Sequence, residues 1–149
     1  MTLVKRKIPD KIVLVIIGLI ILVVILAIEQ FPKRAMLLIP ENMLSCSCSV
    51  ERESIDGAEK IYLTDAQKRA LIEKLGEVLI VRRGFSEGKI GPYDKFVYKI
   101  NFEDEQFIQR KKNSFECKVD DHGKIYTQQS GYKIIGDFSD LLIFLDELF

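Results

Sequence analysis

The sequence predicts an α+β protein: a single N-terminal transmembrane helix followed by an antiparallel β-sheet domain packed with two helices. Three observations lead there. Residues 12–28 form a run of seventeen positions in which only Gly18 and Ala27 are not large aliphatics. Several short segments beyond residue 44 alternate apolar and polar side chains, the pattern of half-buried strands. Two further stretches, one opening at Thr64 and one closing the chain, place apolar residues at helical spacing.

The apolar run comes first. At 1.5 Å per residue it makes a helix of roughly 25 Å, near the lower limit for crossing a hydrocarbon core. A secretory signal peptide has a shorter core and a small-x-small cleavage site, whereas here Ala27 is the one small residue at the end of the run and Glu29-Gln30-Phe31-Pro32 follows. Retention as a signal-anchor is the expectation. Lys5, Arg6, Lys7 and Lys11 precede the run, against Lys33, Arg34 and the more distant Arg52 after it. That bias places the N-terminus inside and the C-terminal domain outside a cell membrane. The expected divisions are a basic flank over residues 1–11, the span over 12–28, a juxtamembrane connector over 29–41 and an extracytoplasmic α+β domain over 42–149.

Charge sharpens this division. Met1 to Arg34 holds six bases and two acids, and the remainder holds sixteen bases and twenty acids, so a formal total of zero hides a difference of +4 against −4. A mildly acidic domain lacks the concentrated basic surface that nucleic-acid binding requires, so no nucleic-acid partner is expected. The expected partners are the lipid bilayer and an envelope protein.

In the connector, Pro32 and Pro40 bracket the apolar Ala35-Met36-Leu37-Leu38-Ile39. Proline at both ends stops the anchor helix and leaves a short extended segment that packs on the domain, the alternative being an apolar patch at the lipid interface beside Lys33 and Arg34. Residues 44–50 alternate cleanly, with Leu44, Cys46, Cys48 and Val50 on one face and serines on the other, which predicts a strand. Residues 54–59, with Asp56-Gly57, mark a turn, and residues 60–63 a short extended piece. Thr64 with Gln67 three residues on reads as a capping box, and Leu71, Leu75, Val78 and Leu79 with Ile72 form the apolar stripe of the helix it opens. Gly76 weakens its last turn. A strand is expected from about Ile80, then a loop over 84–92.

Phe96, Tyr98, Ile100 and Phe102 define the strongest strand; a turn at Glu103-Asp104-Glu105, a short strand over 107–110 and a turn at Lys112-Asn113-Ser114 follow. Phe115, Cys117 and Val119 share the next strand face. Asp120-Asp121-His122-Gly123 has the composition of a tight hairpin turn, with Gly123 free to take a positive φ, and joins that strand to residues 124–127. A last strand over 132–135 precedes a helix capped by Asp137, with Phe138, Leu141, Leu142, Leu145 and Leu148 as its core face. Ile143, Phe144 and Phe149 leave the other face apolar too. Such a helix is either deeply packed or half of an interface, for which Phe138, Leu141, Phe144 and Phe149 are the candidates.

Reactive residues are sparse. Cys46, Cys48 and Cys117 are candidates for one disulfide, or for buried thiols; a redox motif has two residues between its cysteines and sits at a helix N-terminus. His122 beside Asp121 has the chemistry of a general base or metal ligand, but its place at a turn is normally that of a solvated side chain. The acids at 103–105 and 120–121 lack the regular spacing of a calcium loop. Arg82-Arg83 and Arg110-Lys111-Lys112 are short basic clusters suited to an anionic surface or to solvent. No glycine-rich phosphate loop, nucleophile elbow or His-Glu-x-x-His motif is present, so no catalytic, cofactor or metal residue is assigned. The layout resembles that of small single-pass membrane proteins of low-GC Gram-positive bacteria. The expectation is a membrane-tethered binding module, with a thiol- or metal-dependent envelope enzyme and a cytoplasm-facing adaptor as the alternatives.

Overall fold

An uninterrupted helix, α1, covers Asp10–Gln30, so the apolar run gains a turn's worth of residues at its ends and reaches roughly 31 Å at helical rise. The computed structural model describes residues 10–83, 96–104, 114–128 and 130–149. The basic residues at 5–7, the loop over 84–92, the short strand over 107–110 and the Arg110-Lys111-Lys112 cluster lie outside them. Helix α1 ends where Pro32 removes a backbone donor and pushes Phe31 out of helical geometry. Its window Lys11–Ile28 is long and apolar enough to cross a membrane, and none of it is buried. The chain divides into two compact units, Met1–Phe31 and Pro32–Phe149.

The second unit is an α+β domain. Its strands are β1 (Lys33–Arg34), β2 (Ser47–Ser54), β3 (Gly57–Tyr62), β4 (Leu79–Arg82), β5 (Phe96–Glu103), β6 (Ser114–Asp120), β7 (Lys124–Thr127) and β8 (Gly131–Ile135). They form one sheet of eight in the order β1-β4-β8-β7-β6-β5-β2-β3, antiparallel throughout. Two helices, α2 (Asp65–Glu77) and α3 (Ser139–Asp146), complete it. Strand alternation gives the sheet one apolar face, on which the rows Cys48–Phe102–Phe115 and Val50–Ile100–Cys117 run across β2, β5 and β6. Leu71 and Leu75 of α2 and Leu141 and Leu145 of α3 join these side chains in a single buried cluster.

The segment between anchor and sheet is part of this domain. Lys33 and Arg34 pair with Ile80 and Leu79, and a 3-10 turn, Ala35–Leu38, follows. Ala35 and Ile39 are buried, and the Ala35 N–H donates to the Val78 carbonyl at 2.8 Å. Gly76 has a use the sequence did not reveal. A Cβ there would lie 3.1 Å from the Met36 sulfur, so its bare backbone lets the 3-10 turn pack against the last turn of α2.

Strand β2 begins later than the alternation suggested. Pro40 opens a second 3-10 turn, Glu41–Met43, and the Asn42 carbonyl accepts bonds from Ser45 Oγ (3.4 Å) and Cys46 Sγ (3.5 Å), so local bonding holds residues 44–46 in a turn. The strand instead runs on to Ser54, because Glu51 and Glu53 face Lys99 and Val97 across β5. The turn expected over 54–59 accordingly shrinks to Ile55-Asp56, with the Asp56 N–H donating to Ser54 Oγ at 3.3 Å.

Helix α2 starts as its sequence requires. Gln67 N–H donates to Thr64 Oγ1 at 3.3 Å and the Thr64 N–H to Gln67 Oε1 at 3.0 Å, so both halves of the capping box form. The helix ends at Glu77; Val78 turns inward and Leu79 already belongs to β4, which removes Leu79 from the helical stripe. Thr64→Ala is expected to cost about 1 kcal/mol, seen as a few degrees off the domain's thermal midpoint. At the other end Asp137 sits one residue before the cap position, held by Phe138, and accepts from the Ser139 N–H at 2.9 Å and Ser139 Oγ at 2.6 Å. Those bonds hold its carboxyl below the usual carboxylate range.

Candidate functional site

The three cysteines are free thiols. Cys48 pairs with Phe102 and Cys117 with Ile100, so β5 runs between them. Two strand spacings and a two-residue offset separate their Cα atoms by about 12 Å, beyond the roughly 7 Å that a disulfide bridges. Burial pushes both thiols up from 9.0 to about 12; Lys68 pulls Cys48 slightly back and Glu116 adds to the rise at Cys117. Cys46 is partly exposed on the turn before β2, and its carbonyl accepts from Lys68 Nζ at 3.0 Å.

Two consequences are measurable. At neutral pH a buried thiol with so high a pKa is protonated and shielded, so a thiol reagent is expected to modify Cys46 in the native protein and Cys48 and Cys117 only on unfolding. A group whose pKa is higher folded than unfolded contributes stability that is complete below its unfolded value and is lost as pH rises. Domain stability is therefore expected to fall from about pH 9 toward pH 12, and a Cys48→Ala, Cys117→Ala chain to lose part of that slope in alkaline denaturation.

His122 sits on the β6–β7 turn with its side chain 42% exposed and Nε2 3.8 Å from Asp121 Oδ1. Buried Asp120 uses its carboxylate on the same turn, accepting the N–H groups of His122 (3.0 Å) and Lys124 (2.8 Å) and approached by the Tyr126 hydroxyl at 3.5 Å. Gly123, at φ +71°, takes the left-handed conformation expected of it, and its missing Cβ makes room for the Phe138 ring. Among the described residues no group of three or more His, Cys, Asp and Glu is placed to hold a metal ion. Glu103 ends β5 and Asp104 follows it, while Asp120 ends β6 and Asp121 opens the turn after it.

The four candidate interface residues are packed into their own domain. Leu141 is 1% exposed, and Phe138, Phe144 and Phe149 are partly buried against the core. Phe149 lies 6.4 Å from the Tyr98 ring and beneath the Arg52 guanidinium at 4.7 Å, where a cation over an aromatic face is attracted by its quadrupole. The buried Tyr98 hydroxyl donates to the Asp146 carboxylate, and Arg52 reaches Asp146 Oδ1 at 3.7 Å and Glu59 Oε2 at 3.5 Å. Burial, then the bond to Asp146, raises the Tyr98 pKa. These contacts clasp α3 to β2, β3 and β5. Ile143, 54% exposed, is the large apolar side chain that α3 leaves to solvent.

Among the described residues a cleft of about 290 Å³ on the core side of β1 has the shape of a binding site. Leu37, Pro40, Phe115 and Tyr132 give it apolar walls, Gln128 a polar one, and Lys33 Nζ stands 5.0 Å above the Tyr132 ring. Leu37 is 65% exposed. An apolar group carrying a carboxylate or phosphate fits this chemistry, because the ammonium meets the charge while the walls take the rest. The sequence signal was the Pro32–Pro40 bracket, but the facing residues come from β6 and β8 and no local pattern links them.

No protein-family model matches the chain, and no curated protein or solved structure matches it either.

Proposed function

We propose that the protein is a membrane-tethered extracytoplasmic binding module, with α1 retained as a single-pass anchor, its N-terminus inside, and the domain outside engaging an envelope protein through the cleft at Lys33. The observation that carries this reading is the apolar window Lys11–Ile28, wholly exposed and joined through Phe31 and Pro32 to a domain with its own core. So much bare aliphatic surface is stable in hydrocarbon and not in water. Tethering also confines the domain to the plane of its partners, which raises effective concentration and lets a small cleft suffice.

Two of the thiols and one of the carboxylates that an enzyme could use serve the fold instead. Cys48 and Cys117 are buried with raised pKa values, and Asp120 holds the turn on which His122 is exposed. The test is membrane extraction combined with intact mass. The full-length chain is expected to stay in the pellet through alkaline carbonate, with its N-terminal residues intact. A soluble form shortened by the length of α1 would mean that the helix is a removed signal sequence, and would end the tethered reading.

A further inference from the structure

The sheet face opposite the core is not uniform in charge. Across β1, β4 and β8, Arg34, Leu79 and Ile135 stand in one cross-strand row; across β4, β8 and β7, Val81, Lys133 and Lys124 stand in the next. Alternation puts all six on one side, since the intervening Ile80, Ile134 and Ile125 are buried in the core. Leu79 and Ile135 are 43% and 42% exposed and directly opposite each other. Lys124 and Lys133 are also directly opposite, a like-charge pair that weakens a sheet unless an anion lies over it.

The acids nearby are engaged elsewhere. Asp120, which ends β6 beside Lys124, is buried and spends one carboxylate oxygen on the backbone N–H groups of His122 and Lys124, while Glu77 bonds Lys74 and Asp137 bonds Ser139. Further along the sheet Glu116 meets Lys118, and Glu51 and Glu53 meet Lys99. Among the described residues β1, β4, β8 and β7 therefore bring three cations and two exposed aliphatics to the outer face and no carboxylate of their own, the buried Asp120 of β6 being the acid beside Lys124.

We propose that this face docks on an anionic phospholipid surface, with headgroup phosphates against Arg34, Lys124 and Lys133 and with Leu79 and Ile135 entering the headgroup boundary. The inference rests on the membrane-tethered reading and names a second surface of the domain, separate from the cleft. A soluble polyanion would satisfy the cations and leave the aliphatic pair in water, whereas a lipid surface satisfies both. Arg34 follows the last residue of α1 by four positions, at most roughly 15 Å of chain, so that surface is always within reach. Each base near an anionic bilayer contributes about a fivefold preference, so three give on the order of a hundredfold over a neutral one.

The test is amine footprinting of the full-length protein in nanodiscs of phosphatidylcholine alone and of phosphatidylcholine with one-third phosphatidylglycerol. Lys60, exposed on β3 at the far edge of the sheet, is the internal reference. Acylation of Lys124 and Lys133, relative to Lys60, is expected to slow by at least about threefold in the anionic discs and to recover near 1 M salt, where the screening length falls to about 3 Å. Arg34→Glu, on an exposed edge strand, is expected to remove half or more of that protection. Equal rates in the two discs, or equal slowing of Lys60, would overturn the proposal and leave the anchor intact. A chain that fails to enter either disc would overturn the tethered reading and this inference with it.

Discussion

Removal of residues 138–149 is expected to abolish cooperative folding of the domain. The segment contributes Leu141 and Leu145, both essentially inaccessible, and covers the core with Phe138, Phe144 and Phe149. Losing a buried leucine costs about 2–5 kcal/mol, so two approach the whole stability of a domain this size, about 5–15 kcal/mol. The clasp is lost as well: Asp146 and Phe149 leave Arg52 and the buried Tyr98 hydroxyl without their partners. Thermal denaturation followed by near- and far-ultraviolet circular dichroism checks this. A truncated chain that keeps a sharp transition would mean that α3 is an appendage, and would restore its face as a candidate interface. Tyr98→Phe makes the milder comparison, with an expected loss of about 1–2 kcal/mol and an intact fold.

The second large effect concerns the anchor. Leu19 and Leu22 lie one turn apart near the middle of Lys11–Ile28. An arginine at the centre of a span costs about 2.5–3.5 kcal/mol on insertion scales, and each replacement also forfeits a leucine, so Leu19→Arg with Leu22→Arg removes about 6–8 kcal/mol of insertion free energy. That matches what the remaining aliphatics supply. The double variant is expected to leave the carbonate-resistant fraction almost completely, while Leu19→Ile with Leu22→Ile stays in it. Retention of the arginine variant in the membrane would mean that something other than α1 holds the protein there.

Much of the architecture was legible because it rests on local chemistry. The capping box at Thr64, the alternation from Phe96 to Phe102 and the turn at Asp120 to Gly123 each satisfy backbone or packing demands within a few residues, and each appears as read. Boundaries were less legible where partners decide them. Strand β2 starts at Ser47 because Asn42 holds a turn before it, and β3 is six residues long because β2 offers it a full ladder. The alternation gave the faces of Cys48 and Cys117 but could not show that β5 separates them, nor that Cys46 falls in the turn before β2. The terminal helix, apolar over much of its surface, left packing and interface both open; Arg52 and Tyr98, far away in sequence, supply contacts that pack it onto the sheet.

Both candidate surfaces illustrate the same limit. The cleft joins Lys33 and Leu37 to Phe115 and Tyr132, and the basic face joins Arg34 to Lys124 and Lys133. Neither is a motif, since each exists only once the order β1-β4-β8-β7 is known. The sequence read the clusters at Arg82-Arg83 and 110–112 as the basic features of the domain, whereas Arg34, Lys124 and Lys133, far apart in the chain, are the ones that the sheet gathers on a single face.

The most direct test of the tethered, outward-facing module is protease accessibility of a tag fused after Phe149, in intact cells whose wall has been removed and again after lysis. Cleavage in the intact cells, with a cytoplasmic marker protected, is the expected result and puts the domain outside. Protection until lysis would contradict the account, reverse the orientation of α1 and make the domain a cytoplasm-facing adaptor.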